Sequence, residues 1–415
     1  MSTPGWDEMT RVYGKIGMLS FGGPAAQIAL MHRELVEVRG WLSEQAYLRA
    51  LSLCMLLPGP EAMQLATYAG WRMRGVPGGL LAGLLFVVPG AIVIAILALG
   101  YAYVGQVPLV QAAFLGIKAA VIVVVFQALR KVAGNALVGG TGWALALGSF
   151  VALFVFGLPF PLIILIAAGI GFAQVPRQVS APAHIPQRPA NPLATVAVWA
   201  ALWAAPLVGV WAAGQEFLLQ LGLFFSKLAI VTFGGAYAVL AYMTQTVVQD
   251  YGWITTGEMI DALGLAETTP GPLILVTEFV ALLAGFAHSG IAGAIAAGML
   301  ALWVTFTPCF LWIFLAGPYL ERLAAQPRLS GALQGITAAV VGVIANLSLW
   351  FALHVLFDRV DPAVLLALPA PDLSSFNPVA ALLTGGAVVL MLGFNWGFVS
   401  TMGVLALAAS GLAAL

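Results

Sequence analysis

The same tripeptide interrupts two apolar stretches of this chain, and that interruption limits the possible folds more than any other feature. Leu56-Leu57-Pro58-Gly59-Pro60-Glu61 breaks a run from about Ala46 to Trp71, and Glu267-Thr268-Thr269-Pro270-Gly271-Pro272 breaks one from about Met259 to Gly285. A helix cannot pass through Pro-Gly-Pro, because both rings lack an N–H to donate and each crowds the preceding turn. In hydrocarbon the freed backbone groups would find no water, so such a break belongs where it is packed inside protein or lines a wet cavity. The two breaks lie 270 − 58 = 212 positions apart. The same offset carries Lys15 onto Lys227, Phe21-Gly22-Gly23 onto Phe233-Gly234-Gly235 and Gly40-Trp41 onto Gly252-Trp253. From Lys15/Lys227 to Pro60/Pro272, 16 of 46 ungapped pairs are identical, which makes the chain an internal duplication.

Composition decides the medium. Hydrophobic residues make up 62% and charged residues 8%, against roughly 25% charged in a soluble domain, so the chain is an integral membrane protein. Stretches such as Gly78 to Val104, Val110 to Leu129 and Pro192 to Gly214 reach the roughly 20 residues that a spanning helix needs. The ten-residue alternation of spanning strands is absent, so the expected fold class is all-α. A net charge of zero implies no nucleic-acid partner. Cys54 and Cys309 sit inside apolar runs and read as core filler, and His32, His184, His288 and His354 are not at ligand spacing, so neither a metal nor a cofactor is expected. The polar stretch Met1 to Thr10 does not read as a cleavable signal peptide.

The order of segments predicts inverted repeats. Six segments precede a proline-rich linker from Gln174 to Asn191, Leu193 to Gly214 forms a span without a counterpart, and the repeat restarts at Leu223. The division is therefore 1–175, 176–222 and 223–415. Farther along, Pro89 pairs with Pro308 and Pro108 with Pro327, both at an offset of 219, so one net insertion of seven residues separates the matching blocks. Six segments return the chain to its starting side, and the extra span then flips the second half. Lys and Arg counts agree: Arg11/Lys15, Arg72/Arg74, Arg130/Lys131 and Arg177/Arg188 mark one side in the first half, whereas Arg322/Arg328 fall in the loop equivalent to the chargeless Gly105 to Pro108. His32 to Arg49 stays on the basic side if the chain re-enters at Phe21-Gly22-Gly23 and at Pro58-Gly59-Pro60. It changes sides if these segments span; both versions give the same parity, and the re-entrant version is the one favoured.

Inverted repeats with interrupted helices are the pattern of secondary transporters, whose substrate lies between half-helix ends. The N-terminal end of a broken helix offers free amides and partial positive charge, which suits an anion. Candidate substrate contacts are therefore Phe21, Gly22, Gly23, Pro58, Gly59 and Pro60, with Phe233, Gly234, Gly235, Pro270, Gly271 and Pro272 from the second repeat. Lys15 and Lys227 supply either charge for the anion or a snorkelling anchor. Ser20, Gln64, Thr232, Thr268 and Thr269 could donate to an oxyanion or merely satisfy freed backbone. Glu61 and Glu267, carboxylates within apolar runs, are candidate proton carriers, with helix capping the plainer role for Glu61. Glu278 lies farther along the same run as Glu267. An intramembrane enzyme using these acids is the rival class, but no nucleophile, metal or cofactor constellation accompanies them.

Several longer motifs resemble the chromate ion transporter family. In the first half they are Ser20-Phe21-Gly22-Gly23-Pro24, Met31-His32-Arg33-Glu34-Leu35-Val36, Leu56-Leu57-Pro58-Gly59-Pro60-Glu61-Ala62, Gln64-Leu65-Ala66-Thr67-Tyr68 and Leu84-Leu85-Phe86-Val87-Val88-Pro89-Gly90. In the second they are Phe233 to Leu240, Tyr251-Gly252-Trp253 and Leu265 to Ile274. The resemblance runs from about Gly14 to Val340 and keeps the family's motif order. It implies a two-domain, long-chain member exporting chromate across a bacterial inner membrane with the proton motive force, as a multi-pass protein in contact with lipid and open to forming a homodimer. Met63 and Ala26 stand where glutamine and glycine are usual in that pattern, which bears on substrate preference. Sulfate, also a tetrahedral oxygen dianion, is the alternative cargo.

Overall fold

The computed structural model describes residues 4–175, 191–233, 236–319, 326–362 and 369–414. Most of the linker, Gly234-Gly235 and Arg322 lie outside them. The first repeat runs α1 (Trp6–Leu19), α2 (Gly23–His32, continued by a π-helical turn Arg33–Val38), α3 (Glu44–Leu56), α4 (Glu61–Val104), α5 (Pro108–Ala136), α6 (Gly139–Phe154) and α7 (Phe160–Gln174). The unpaired span is α8 (Pro192–Ala212). The second repeat follows as α9 (Glu216–Val231), α10 (Ala236–Thr244, continued by a π-helical turn Gln245–Asp250), α11 (Thr256–Thr268), α12 (Val276–Ala316) and α13 (Pro327–Leu356). A two-stranded ribbon of β1 (Val360–Pro362) and β2 (Pro369–Pro371) leads to α14 (Pro378–Val388) and α15 (Phe398–Ala414). The π turns at 33–38 and 245–250, and α3 at 44–56 and α11 at 256–268, keep the offset of 212 residue for residue. The duplication is thus visible in secondary structure as well as in sequence.

Among the described residues five helices are long and apolar enough to cross a bilayer, and two of them are hairpins. Within α4 the backbone reverses at Arg74 and Gly75, where Gly75 takes φ +65°. The limbs come so close that a Cβ on Gly70 or Gly78 would overlap the other's carbonyl. Ser289 and Gly290 repeat the device in α12, with Gly285 against Gly293. Glycine supplies both the left-handed turn and the close helix contact.

The chain also folds back at Phe21-Gly22-Gly23. α1 has 14 residues, about 21 Å of helix and short of the ~30 Å hydrocarbon core. Tyr13 on α1 lies 6.5 Å from the ring of Trp41, although 28 positions separate them. Lys15 Nζ reaches Glu34 Oε1 at 2.8 Å. α2 therefore returns alongside α1. Arg74 closes the circuit, donating from Nε to the Pro4 carbonyl at 2.6 Å and stacking over Trp6. The start of α1 and the end of the first limb of α4 are neighbours, as two successive hairpins require.

The chain divides into two compact units, each drawing on both repeats. The first comprises residues 1–99, 175–236 and 269–330, and holds both Pro-Gly-Pro breaks. In it α12 packs against α8 and α9, while α8 buries none of its own side chains, as a helix facing lipid would. The second comprises 100–174, 237–268 and 331–415. Its core joins Ala119, Ala120 and Val123 of α5 to Leu383, Ala387 and Leu405 of α14 and α15. Small residues let the helices approach: a Cβ on Gly116 would overlap the Leu405 carbonyl, and one on Gly342 that of Ala146.

Candidate functional site

The first unit brings the two breaks together. α3 ends at Leu56, Leu57 is extended, Gly59 takes φ +123° and α4 restarts at Glu61. The Gly59 N–H donates to the Thr232 carbonyl at 2.8 Å, and the Gly271 N–H donates to the Ser20 carbonyl at 3.0 Å. Both donors and both acceptors are related by 212 positions, so one bond is drawn twice, as a two-fold relation between repeats would draw it. Ser20 and Thr232 end α1 and α9, and their hydroxyls donate back to the Ile16 and Leu228 carbonyls, each at 2.6 Å. Each broken helix thus finds acceptors for its freed groups in its counterpart, which is how a break survives away from water.

Two glutamines brace this exchange. Gln27 Nε2 donates to the Ser20 carbonyl at 3.2 Å and to the Gly271 carbonyl at 2.7 Å, tying α2 to the second repeat's break. Gln64 Nε2 donates to the Pro58 carbonyl at 2.6 Å. The Oε1 atoms of both are buried without a partner among the described residues. Between the breaks lies a void of about 20 Å³ lined by Pro24, Gln27, Pro60, Glu61, Pro272 and Leu273, with Gly59, Ala62 and Ile274. Two helix starts open onto it. The amides of Glu61, Ala62 and Met63 precede the first helical bond of α4, Gln64 N–H to the Pro60 carbonyl. Leu273 and Ile274 begin a 3₁₀ turn whose first bond is Leu275 N–H to the Pro272 carbonyl. These are the unpaired donors of a helix N-terminus, and both sets carry partial positive charge. A water needs roughly 10–15 Å³ of such space, so the void in this conformation holds about one water and is too small for an anion of four oxygens.

The family described as chromate transporter matches residues 8–172 and 219–415. The chain belongs to the chromate transporter family. A chromate transport protein of Pseudomonas aeruginosa is 34% identical over 336 residues, covering 80% of this chain and 77% of the relative. One of Cupriavidus metallidurans is 31% identical over 369 residues, covering 87% and 86%. A probable chromate transport protein of Synechococcus elongatus is 31% identical over 344 residues, covering 82% of each. No solved structure matches the chain. Family membership together with the apolar helices makes this a multi-pass membrane protein whose relatives are named as transporters.

Set against that family, the residues expected to carry the site separate into three groups. Pro58, Gly59, Pro60, Glu61, Gln64, Pro270, Gly271 and Pro272 gather at or beside the void, with Ser20 and Thr232 holding the glycines. Gly22 and Gly23, at φ +83° and +78°, make the turn between α1 and α2, where Phe21 is exposed. Thr269 is buried, and Thr268 donates its hydroxyl to the Leu265 carbonyl at 2.7 Å. Phe233 directly follows Thr232, and Gly234 and Gly235 fall outside the described residues.

Lys15, Lys227 and Glu267 are not among the residues that line the void. Lys15 is exposed and paired with Glu34, which Arg39 also engages. Lys227 lies on an exposed face of α9. Glu267 belongs to the second unit, hydrogen-bonded to the Tyr237 hydroxyl. The sequence reading missed Gln27, whose signal is an amide side chain within the otherwise apolar run Gly23 to Met31. The second unit has a larger cavity, about 430 Å³, lined by Tyr242, Gln245, Asn346, Trp350, His354 and Asp361 among others. Its lining includes an acid and neither Lys nor Arg, so it is unsuited to a dianion.

Proposed function

We propose that this chain moves chromate out of the cell across a bacterial inner membrane, binding the dianion between the two Pro-Gly-Pro breaks when the void between them widens. The observation that carries the reading is the convergence of two helix starts on one enclosed point. Charge arithmetic sets what else is needed. A helix N-terminus contributes at most about 2 kcal/mol toward an anion in a partly buried site, whereas taking an ion out of water costs several kcal/mol. Two helix ends alone do not hold a dianion, and Lys15 and Lys227 are proposed to supply the missing positive charge to an anion approaching the breaks. Glu61 lines the same void, and an ionised carboxylate there would repel the substrate. The anion and a proton on Glu61 therefore bind together, which couples transport to protons, with Glu267 the second candidate carrier.

The two halves are proposed to be inverted, with re-entrant hairpins at Phe21-Gly22-Gly23 and Pro58-Gly59-Pro60, as the 14-residue α1 and the folded-back α2 favour. Sulfate has the same tetrahedral oxygen geometry and charge and is the alternative cargo. The deciding experiment places the purified full chain in liposomes with radiolabelled chromate. Saturable uptake competed weakly or not at all by sulfate is expected; transport of sulfate but not chromate would reassign the substrate, and transport of neither would end the transporter reading. Cysteines at Arg74 and His288, near-equivalent repeat positions, should label from opposite membrane faces, and labelling of both from one face would rule out inversion.

A further inference from the structure

Away from the breaks, the second unit buries a charged cluster that the oxyanion reading leaves unused. Asp261, on α11, is 3% exposed. Its Oδ2 accepts the Tyr101 hydroxyl from the end of α4 at 2.8 Å and faces Lys118 Nζ of α5 at 3.3 Å. Its Oδ1 is buried with no hydrogen-bond partner among the described residues. A carboxylate in an apolar helical bundle is costly to keep and is retained where an ion or proton is handled. Lys118 is the sole charge between Val110 and Leu129, and Gly257 of α11 leaves room for its ammonium, since a Cβ there would stand 3.3 Å from Nζ.

The environment is uneven across the two oxygens. Oδ2 has a charge and a hydroxyl directed at it, whereas Oδ1 has neither. A negatively charged oxygen buried without a donor has lost its hydration with nothing in exchange, and a proton on Oδ1 removes that charge from its apolar surroundings. The ionisable groups facing Asp261 are Tyr101 from α4, Lys118 from α5 and, on α11 itself, Glu258, which is committed to capping the helix through the Thr255 amide at 2.7 Å and hydroxyl at 2.9 Å. α15, which also packs against α11, has no ionisable residue, and the Tyr237 hydroxyl of α10 is bonded to Glu267, six residues farther along α11.

We infer that Asp261, held by Lys118 and Tyr101, is a second proton-binding site of the transport cycle, distinct from Glu61 and loaded at Oδ1. A proton taken from water forms the O–H bond on Oδ1, the carboxyl becomes neutral, and Lys118 is left as a net positive charge until the proton departs. The inference rests on the transport reading above, because it assigns a step of that cycle. A plain structural ion pair would leave proton movement untouched.

The test measures protons and anion together: full-length protein in liposomes, labelled chromate for one flux and an entrapped pH dye for the other. Asp261→Asn should lower the number of protons moved per anion by one while chromate exchange at matched pH continues. Asp261→Asn with Lys118→Met, which removes both charges, should show the same deficit with exchange restored wherever the single change slows it. Infrared difference spectra of the wild type across a pH titration should contain a protonated-carboxyl band that shifts in Asp261→Glu and vanishes in Asp261→Asn. An unchanged proton-to-anion ratio in either asparagine variant, or a band indifferent to residue 261, overturns the inference. If the wild type moves no oxyanion, the transport reading fails instead, and the infrared titration alone decides whether Asp261 binds a proton.

Discussion

The two breaks share a scaffold and differ in decoration. Glycine amide to opposing carbonyl, hydroxyl back to its own helix, and glycine hairpin one helix later recur in both repeats. The polar side chains do not recur. Gln27, Gln64 and Glu61 of the first repeat correspond at the 212 offset to Val239, Val276 and Leu273, and Glu34, partner of Lys15, corresponds to Thr246. The geometry around the void is common to the two copies, and the polar side chains at or beside it, Gln27, Gln64 and Glu61, belong to the first alone. A consequence is that equivalent changes in the two repeats should have unequal effects.

The largest difference is expected at the glycines. Gly59 at φ +123° leaves no space: a Cβ would lie 2.7 Å from Gln64 Nε2 and 2.9 Å from Cys309 Sγ. Gly271 at φ +91° would meet the flexible end of Leu275 at 3.0 Å. Strain in such backbone costs about 1–3 kcal/mol, and overpacking adds a comparable amount at Gly59. Gly59→Ala should therefore abolish transport and lower the melting temperature of the detergent-solubilised protein, and Gly271→Ala should do so less. Equal or reversed losses would show that the first break is not the tighter.

Next in size is the proton. Glu61→Gln should retain chromate counterflow at equal pH yet accumulate about tenfold less under a pH gradient, a deficit of ~1.4 kcal/mol. Glu267→Gln, whose carboxyl is engaged by Tyr237, should keep more of that accumulation. Should Glu267→Gln fail and Glu61→Gln succeed, the carrier belongs to the second repeat and the asymmetry is the reverse of that proposed.

The lysines give a smaller contrast. Lys227→Met should raise the half-saturating chromate concentration about tenfold, again ~1.4 kcal/mol. Lys15→Met should change it less, because Glu34 already offsets that ammonium at 2.8 Å and keeps Arg39 as a partner when it is gone. Unchanged affinity in both would make the lysines interfacial anchors and leave the anion to the helix ends.

These contrasts also separate what a linear reading reaches from what it does not. Pro-Gly-Pro announces its own break, because no helix tolerates it, and the 212 offset exposes the duplication before any coordinates. Arg72 and Arg74 at the end of an apolar run mark the side of the membrane on which that segment stops, whereas the left-handed turn at Gly75 is seen only in the structure. Gln27 binding a carbonyl 244 positions away, or Tyr101 and Lys118 meeting Asp261, depends on which helices pack together, and period and composition do not specify that. The committed hydroxyls of Ser20 and Thr232 illustrate the same limit: their residue type suggests donors for an anion, while their position at a helix end directs them to their own backbone.

The smallest expected effect lies on the polar connection that distinguishes the first repeat. His32 binds Glu44 at 2.7 Å and Glu37 at 3.0 Å, whereas its counterpart at the 212 offset is Thr244. The hydrogen bond to Glu44, assisted by Glu37 against a partial loss of hydration, raises the His32 pKa above its ordinary value. A base whose folded pKa is raised stabilises the fold fully below its unfolded value, near 6.5, and loses that contribution as pH climbs through the folded value. Both carboxylates are more than half exposed, so screening holds the pair to less than about 1 kcal/mol. His32→Gln should accordingly lower the melting temperature slightly at pH 5.5 and leave it unchanged at pH 9. A deficit that persists at pH 9 would trace instead to lost packing of the imidazole against Tyr47, whose ring stands edge-on 5.1 Å away.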